Sequence, residues 1–367
     1  MISYDHPNCI SCHVSVQGRG LLNRYGRGID IEQSYSDADL TGRALGYLLD
    51  AKYGSGDWDG RFGNVLTDVA ATARINHEFD TDKTDPTFSA LFRQIVFVGK
   101  EQRFRVNYEI GLRDTALHDA RLGPNQTATG GGNVFLKKLM LEWRIKGKGA
   151  AGGSELAIGR DYLPIGLQID DHTSYILHLN RNGIYDYPLQ LKYFTWKENY
   201  LASAFLYAPT FDEQGRRREW GGGFLYERYP SSRLALGIQG LAGFAEESDR
   251  ARIGGYTRWG ISNKWSLLAE ADYTRFWDAG PAKLEGDQVT AYLQIFYHHY
   301  EWLVSSLAGN YAYTPLLLSG DHHFEWRYTL SARLNRNLTI GLTYSAGDIR
   351  RNLSFGEEGA VFAAVKF

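Results

Sequence analysis

From about residue 66 onward, apolar and polar residues alternate with a period of two. In 323–334, Phe324, Trp326, Tyr328, Leu330, Ala332 and Leu334 share one parity, and Glu325, Arg327, Thr329, Ser331 and Arg333 the other. Successive side chains of a strand point to opposite faces, so this segment predicts a strand with one apolar and one wet face. The pattern recurs in 102–113, where Phe104, Val106, Tyr108, Ile110 and Leu112 oppose Arg103, Arg105, Asn107, Glu109 and Arg113, and again in 264–274. Charges so dense do not fit a dry core. They face bulk water or a wet lumen.

Strands are expected at about 66–79, 88–98, 102–113, 133–145, 154–162, 187–196, 199–208, 219–229, 232–243, 251–260, 264–276, 287–298, 301–313, 323–334, 337–347 and 357–367, sixteen in all. The gaps alternate in length. Those at 99–101, 197–198, 230–231, 261–263 and 335–336 are tight, whereas 114–132, 163–186, 209–218, 277–286 and 348–356 are longer and polar. An even strand count, short turns at one end, long loops at the other and apolar faces ending in aromatics predict an all-β fold, a transmembrane antiparallel β-barrel. Closing the sheet matters because lipid offers no partner to an unpaired N–H or C=O. Outer-membrane lipid is then the first partner, with both termini periplasmic and the long loops extracellular. The last strand sets Gly359, Val361, Ala363, Val365 and Phe367 on one face, which resembles the aromatic C-terminal signal of barrel assembly.

Composition narrows this further. The 367 residues suit one large barrel plus a short extra piece. A net charge of -2 gives no bulk attraction to nucleic acid, so none is expected as a partner. No stretch approaches the roughly 18 apolar residues of a transmembrane helix. Residues 1–62 differ from 63–367: they are rich in Gly and Asp, alternate weakly, hold both cysteines and contain a short helical pattern at 39–51. No apolar signal stretch precedes the first cysteine, so export implies a leader already removed from this sequence.

The N-terminal unit carries one motif, Cys9-Ile10-Ser11-Cys12-His13. In C-x-x-C-H, two thiols add to haem vinyl groups and the adjacent His ligates the iron. A second C-x-x-C is missing, so a four-Cys zinc site cannot form. A disulfide between the two cysteines is the competing reading. For the sixth ligand, methionine is scarce: Met1 and Met140 are the two present, and Met140 falls mid-strand on the parity of Val134, Leu136, Lys138 and Glu142. His6 is the near candidate; His118, His172, His298, His299, His322 and His323 are distant ones, and five-coordinate iron is a further option. Arg19, Arg24 and Arg27, among glycines that permit close approach, suit pairing with haem propionates, against the plainer reading of a basic loop. The acidic residues Asp170, Asp171, Asp212, Glu246, Glu247, Glu357 and Glu358 have the hard oxygens that attract Fe(II), though solubilising loop charge explains them as well.

Taken together, the chain resembles the fused monohaem cytochrome–porins of the bacterial outer membrane, a class tied to extracellular iron oxidation. The likeness rests on Cys9, Cys12 and His13, on the short segment around them, and on a sixteen-strand barrel filling the rest. It implies one covalent heme c, with Cys9 and Cys12 as attachment points and His13 as proximal ligand. It also implies an electron-transfer protein, at most an iron oxidoreductase, passing electrons between extracellular iron or a surface multihaem cytochrome and a periplasmic c-type cytochrome. Without an obvious Met ligand, a high-potential haem fits poorly. Two rivals use the same barrel: a sheath around separate multihaem cytochromes, and a passive diffusion porin with no haem.

Overall fold

The computed structural model describes residues 61–62, 65–98, 103–113, 134–147, 152–167, 187–208, 219–245, 249–279, 284–315, 322–335, 338–348 and 355–366. The strands are β1 (Arg61–Phe62), β2 (Val65–Glu78), β3 (Lys83–Val98), β4 (Phe104–Arg113), β5 (Val134–Lys146), β6 (Gly152–Arg160), β7 (Leu189–Lys197), β8 (Tyr200–Ala208), β9 (Glu219–Ser231), β10 (Leu234–Ala245), β11 (Asp249–Gly260), β12 (Trp265–Ala279), β13 (Leu284–His298), β14 (Leu303–Tyr313), β15 (His322–Arg333), β16 (Leu338–Gly347) and β17 (Gly356–Lys366).

Every consecutive pair from β2 to β17 is antiparallel. The ring closes where β17 pairs with β2, Val361 opposite Ile75 and Ala363 opposite Ala73. Sixteen strands therefore form a closed barrel, and β1 only extends the start of β2 through Arg61 and Phe62. Closure leaves no sheet edge.

The alternation read from the sequence survives in space. Phe324, Trp326 and Tyr328 are exposed on the outer wall, while Glu325 between them is buried inside. Outward aromatics gather at two levels. On the side of the short turns Phe104 stacks on Trp143 (centroids 5.8 Å apart), Tyr200 on Tyr226 (6.2 Å), and Trp265 meets Tyr297 (4.6 Å). On the side of the longer loops Trp220 meets Phe244 (4.9 Å) and Tyr311 meets Phe324 (4.9 Å). Trp265 and Tyr273, on the two levels of β12, lie ~26 Å apart along the strand at ~3.3 Å per residue. Two aromatic girdles around an apolar band are what a lipid-facing barrel surface carries.

Three expectations need correction. β3 starts at Lys83, not near 88, and includes Pro86 opposite Ile75. Among the described residues, pairing of β3 with β4 begins at Ser89, so Pro86 lies outside the described part of that ladder. The loop expected at 277–286 shrinks because β12 runs to Ala279 and β13 begins at Leu284. The third concerns β5. Its register against β4 shifts between Glu109 and Ile110, which pair with Lys138 and Leu136, so Lys137 is an extra residue. This β-bulge resets the parity. Val134 and Leu136 face out, whereas Met140 (1% exposed) and Glu142 face in. Met140 thus does not share a face with Val134 and Leu136.

Candidate functional site

The inner wall combines charged networks with an apolar, aromatic patch on β7–β11, and one segment crosses it. After β6 the chain does not leave the barrel: residues 161–167 fold inward as a strap. Its base is fixed at Asp161, whose Oδ2 sits 2.7 Å from Lys192 Nζ and 3.1 Å from Lys138 Nζ. Gln190 Nε2 donates to the carbonyls of Asp161 and, at 3.0 Å, Tyr162. The Tyr162 hydroxyl lies 3.1 Å from that of Tyr187, and the two rings meet edge-on. Burial alone would raise the Asp161 carboxyl, but the two ammonium groups outweigh it and hold it down to about 2.

The middle of the strap is apolar. Ile165 packs with Phe205, Tyr207 and Leu241, with Leu163 alongside. Leu167 covers the inward cluster of Phe194, Trp196, Leu201, Leu225, Tyr229, Ala235 and Tyr256, and also touches the pair Tyr292 and Ala308. Its far end is tied to β12, where Leu167 N–H donates to Glu270 Oε2 at 2.7 Å. Gly166 has φ +69, and a Cβ there would run into the Glu270 carboxylate. Both the backbone angle and the close approach call for glycine.

Two charge networks flank the strap. On β3–β7, Arg93 and Lys137 converge on Glu109 (3.0 and 2.6 Å), and Arg105 bridges Glu142 and Glu155 (2.8 and 2.6 Å). Arg144 also reaches Glu155 (2.9 Å). The bulge makes this possible, because it turns the successive residues Lys137 and Lys138 both inward. On β9–β12, Arg250 meets Glu219 (2.7 Å), Arg252 meets Asp272 (2.7 Å) and Glu270 (3.2 Å), and Arg258 pairs with Glu227. Gln239 Nε2 donates to both Glu270 and Asp272 at 2.7 Å. Charges so buried are tolerable because each network pairs opposite signs and supplies further hydrogen bonds.

Cys9, Cys12, His13, His6, Arg19, Arg24 and Arg27 lie outside the described residues, as do the helical pattern at 39–51, His118, His172, Asp170, Asp171, Asp212, Glu246 and Glu247. The remaining candidates scatter. His298 is half-buried at the turn end of β13, and His299 bonds Ser305 (3.0 Å). His322 packs outward against Tyr311 and Tyr313, and His323 turns inward to Asp348 (3.3 Å). Glu357 and Glu358 belong to β17 rather than to a loop, and Glu358 points inward to Arg74 (3.5 Å). Among the described residues no group of three or more His, Cys, Asp or Glu is placed to hold a metal ion. The strap itself was missed by the sequence reading, although the polar Asp161 followed by Pro164 and Gly166 breaks the strand pattern where it begins.

No known protein-family model matches the sequence, and no curated protein is significantly similar to it. Solved structures are similar in fold. OmpF from Salmonella typhi, in complex with daunomycin, matches with a TM-score of 0.60 at 10% identity, over 83% of this chain and 97% of that one. The outer membrane channel DcaP of Acinetobacter baumannii gives 0.55 at 13% identity, over 83% and 96%. An anion-selective porin from Comamonas acidovorans gives 0.54 at 12% identity, over 83% and 99%. At these identities the likeness is one of fold: this chain is a closed sixteen-strand antiparallel barrel resembling the outer-membrane porins.

Proposed function

We propose that the chain is an outer-membrane channel through which small hydrophilic solutes diffuse past the strap. The observation that carries this reading is the division of the two walls. The outer wall is an apolar band between aromatic girdles; the inner wall carries networks of ion pairs that a lipid-facing surface could not hold. The short turns and both chain ends then face the periplasm and the longer loops the outside. The likeness of fold to porins supports this reading. Purified protein in planar lipid bilayers is expected to give stepwise, ohmic conductance. Folded protein that inserts and never conducts would overturn it.

A second reading rests on one specific observation, Cys9-Ile10-Ser11-Cys12-His13. Here the barrel is the housing of a single heme c, attached through Cys9 and Cys12 with His13 as proximal ligand. The haem would supply one-electron Fe(II)/Fe(III) cycling between extracellular iron and a periplasmic c-type cytochrome. Expression with a cytochrome-maturation system, acid–acetone extraction and a reduced-minus-oxidised spectrum decide it. A c-type band that survives extraction and vanishes in Cys9→Ala with Cys12→Ala supports the conduit. Absence of covalent haem leaves the diffusion channel.

A further inference from the structure

In four ion pairs of the inner wall the cation is the more exposed partner. In the pair Arg74–Glu358 the arginine side chain is 36% exposed and the glutamate 10%. Arg144 is 16% exposed over Glu155 at 3%, and Arg258 is 18% exposed over Glu227 at 2%. Arg327 over Glu325 repeats the arrangement, 13% against 1%. In these four pairs the carboxylate is the more buried partner and the guanidinium the more exposed, whereas in Arg105–Glu142 and Lys192–Asp161 the cation is the more buried. Arg252 is as buried as Glu270, and Arg250 is more buried than Glu219, so neither adds accessible positive charge.

We propose that the pore selects anions, and that the guanidinium groups of Arg74, Arg144, Arg258 and Arg327, spread along the barrel, are its selectivity element. This deepens the channel reading and rests on it. The selected class is the small inorganic or carboxylate anion. A permeant ion meets the positive end of each pair first, while the compensating carboxylate sits behind it. Low-dielectric walls focus that field along the lumen, so local anion concentration rises even though the chain as a whole carries -2.

The test is the reversal potential of the full chain in planar bilayers under a KCl gradient, at low salt where screening is weak. The expected chloride-to-potassium permeability ratio is above ~3. Arg74→Gln combined with Arg327→Gln should lower that ratio by ~3-fold or more, and Glu358→Gln should raise it. Arg74→Lys keeps the charge and should keep the ratio, which separates lost charge from lost packing. Arg228→Gln, on the outward parity of β9, should change nothing. Channels that favour potassium, or a ratio indifferent to Arg74 and Arg327, would overturn the selectivity while leaving the channel standing. Folded, inserted protein without channels would sink the channel reading itself.

Discussion

At the scale of single residues, the strap depends on two contacts of different kinds. Gly166 is held at φ +69 against Glu270. Gly166→Ala introduces a left-handed alanine and a clash, a cost of ~1–2 kcal/mol concentrated on the seven residues of the strap. The strap should detach before the barrel unfolds, so the expected result is a larger or noisier single-channel conductance with heat-modifiable migration unchanged. At the other end, Asp161 lies between Lys138 and Lys192. Asp161→Asn removes the carboxylate that two buried ammonium groups share and should destabilise this region by about 3 kcal/mol. The pH dependence follows from the same geometry. The folded carboxyl is lowered from 3.8 to about 2, so its contribution is complete above 3.8 and is lost as the pH falls through 2. Conductance should hold steady through neutral and mildly acid pH, then rise on acidification below about 3 in the wild type, while Asp161→Asn already shows the acid behaviour at pH 7.

At the scale of elements, the bulge in β5 shows what a period-two reading captures and what it misses. Alternation at Phe104–Leu112 and Phe324–Leu330 identified strands and their lipid faces, because each side chain there meets either a uniformly apolar or a uniformly polar surround. Within β5 a single extra residue, Lys137, changes the parity of everything after it. Nothing in Leu136-Lys137-Lys138-Leu139 announces this except two adjacent lysines flanked by leucines, which cannot all be satisfied by strict alternation. The extension of β3 through Pro86 was hidden for another reason: proline by itself argues against a strand, because it cannot donate to the ladder. The strap was illegible because its partners, Glu270 and Phe205, are distant in sequence. A deletion tests the bulge. Removing Lys137 leaves Leu136 out, Lys138 in and Leu139 out, an unbroken alternation, so the barrel should assemble normally. Removing Met140 instead either keeps the bulge and turns the residues after it to the wrong face, or dissolves the bulge and puts Lys138 into lipid and Leu139 inside. That variant should fail to become heat-modifiable on refolding into detergent or vesicles. Equal assembly of both deletions would show that the bulge does not set the register.

At the scale of the whole molecule, the question is whether the apolar outer wall meets lipid or water, and one position separates the two. Val361 lies in the middle of β17, 64% exposed, opposite Leu342 on one side and Ile75 on the other. It belongs to the seam where the last strand meets the first, so it depends on closure of the entire ring. If the outer wall faced water, Val361→Arg would be a surface substitution of ordinary kind, within about 0.5 kcal/mol of neutral. In lipid the same arginine has to be carried into hydrocarbon, at ~2–4 kcal/mol near the midplane and much less near either girdle. A companion variant at Trp265, Trp265→Arg, sits at the turn-side girdle and should cost far less by that depth rule, although it loses the contact with Tyr297. Reversible unfolding from phospholipid vesicles should therefore rank Val361→Arg as clearly more damaging than Trp265→Arg. Equal costs at both positions would mean that the apolar band is not immersed in a bilayer, whatever the barrel resembles. A cost that peaks at Val361 and fades toward the aromatic rims ties the period-two pattern of the chain to the medium that made it necessary.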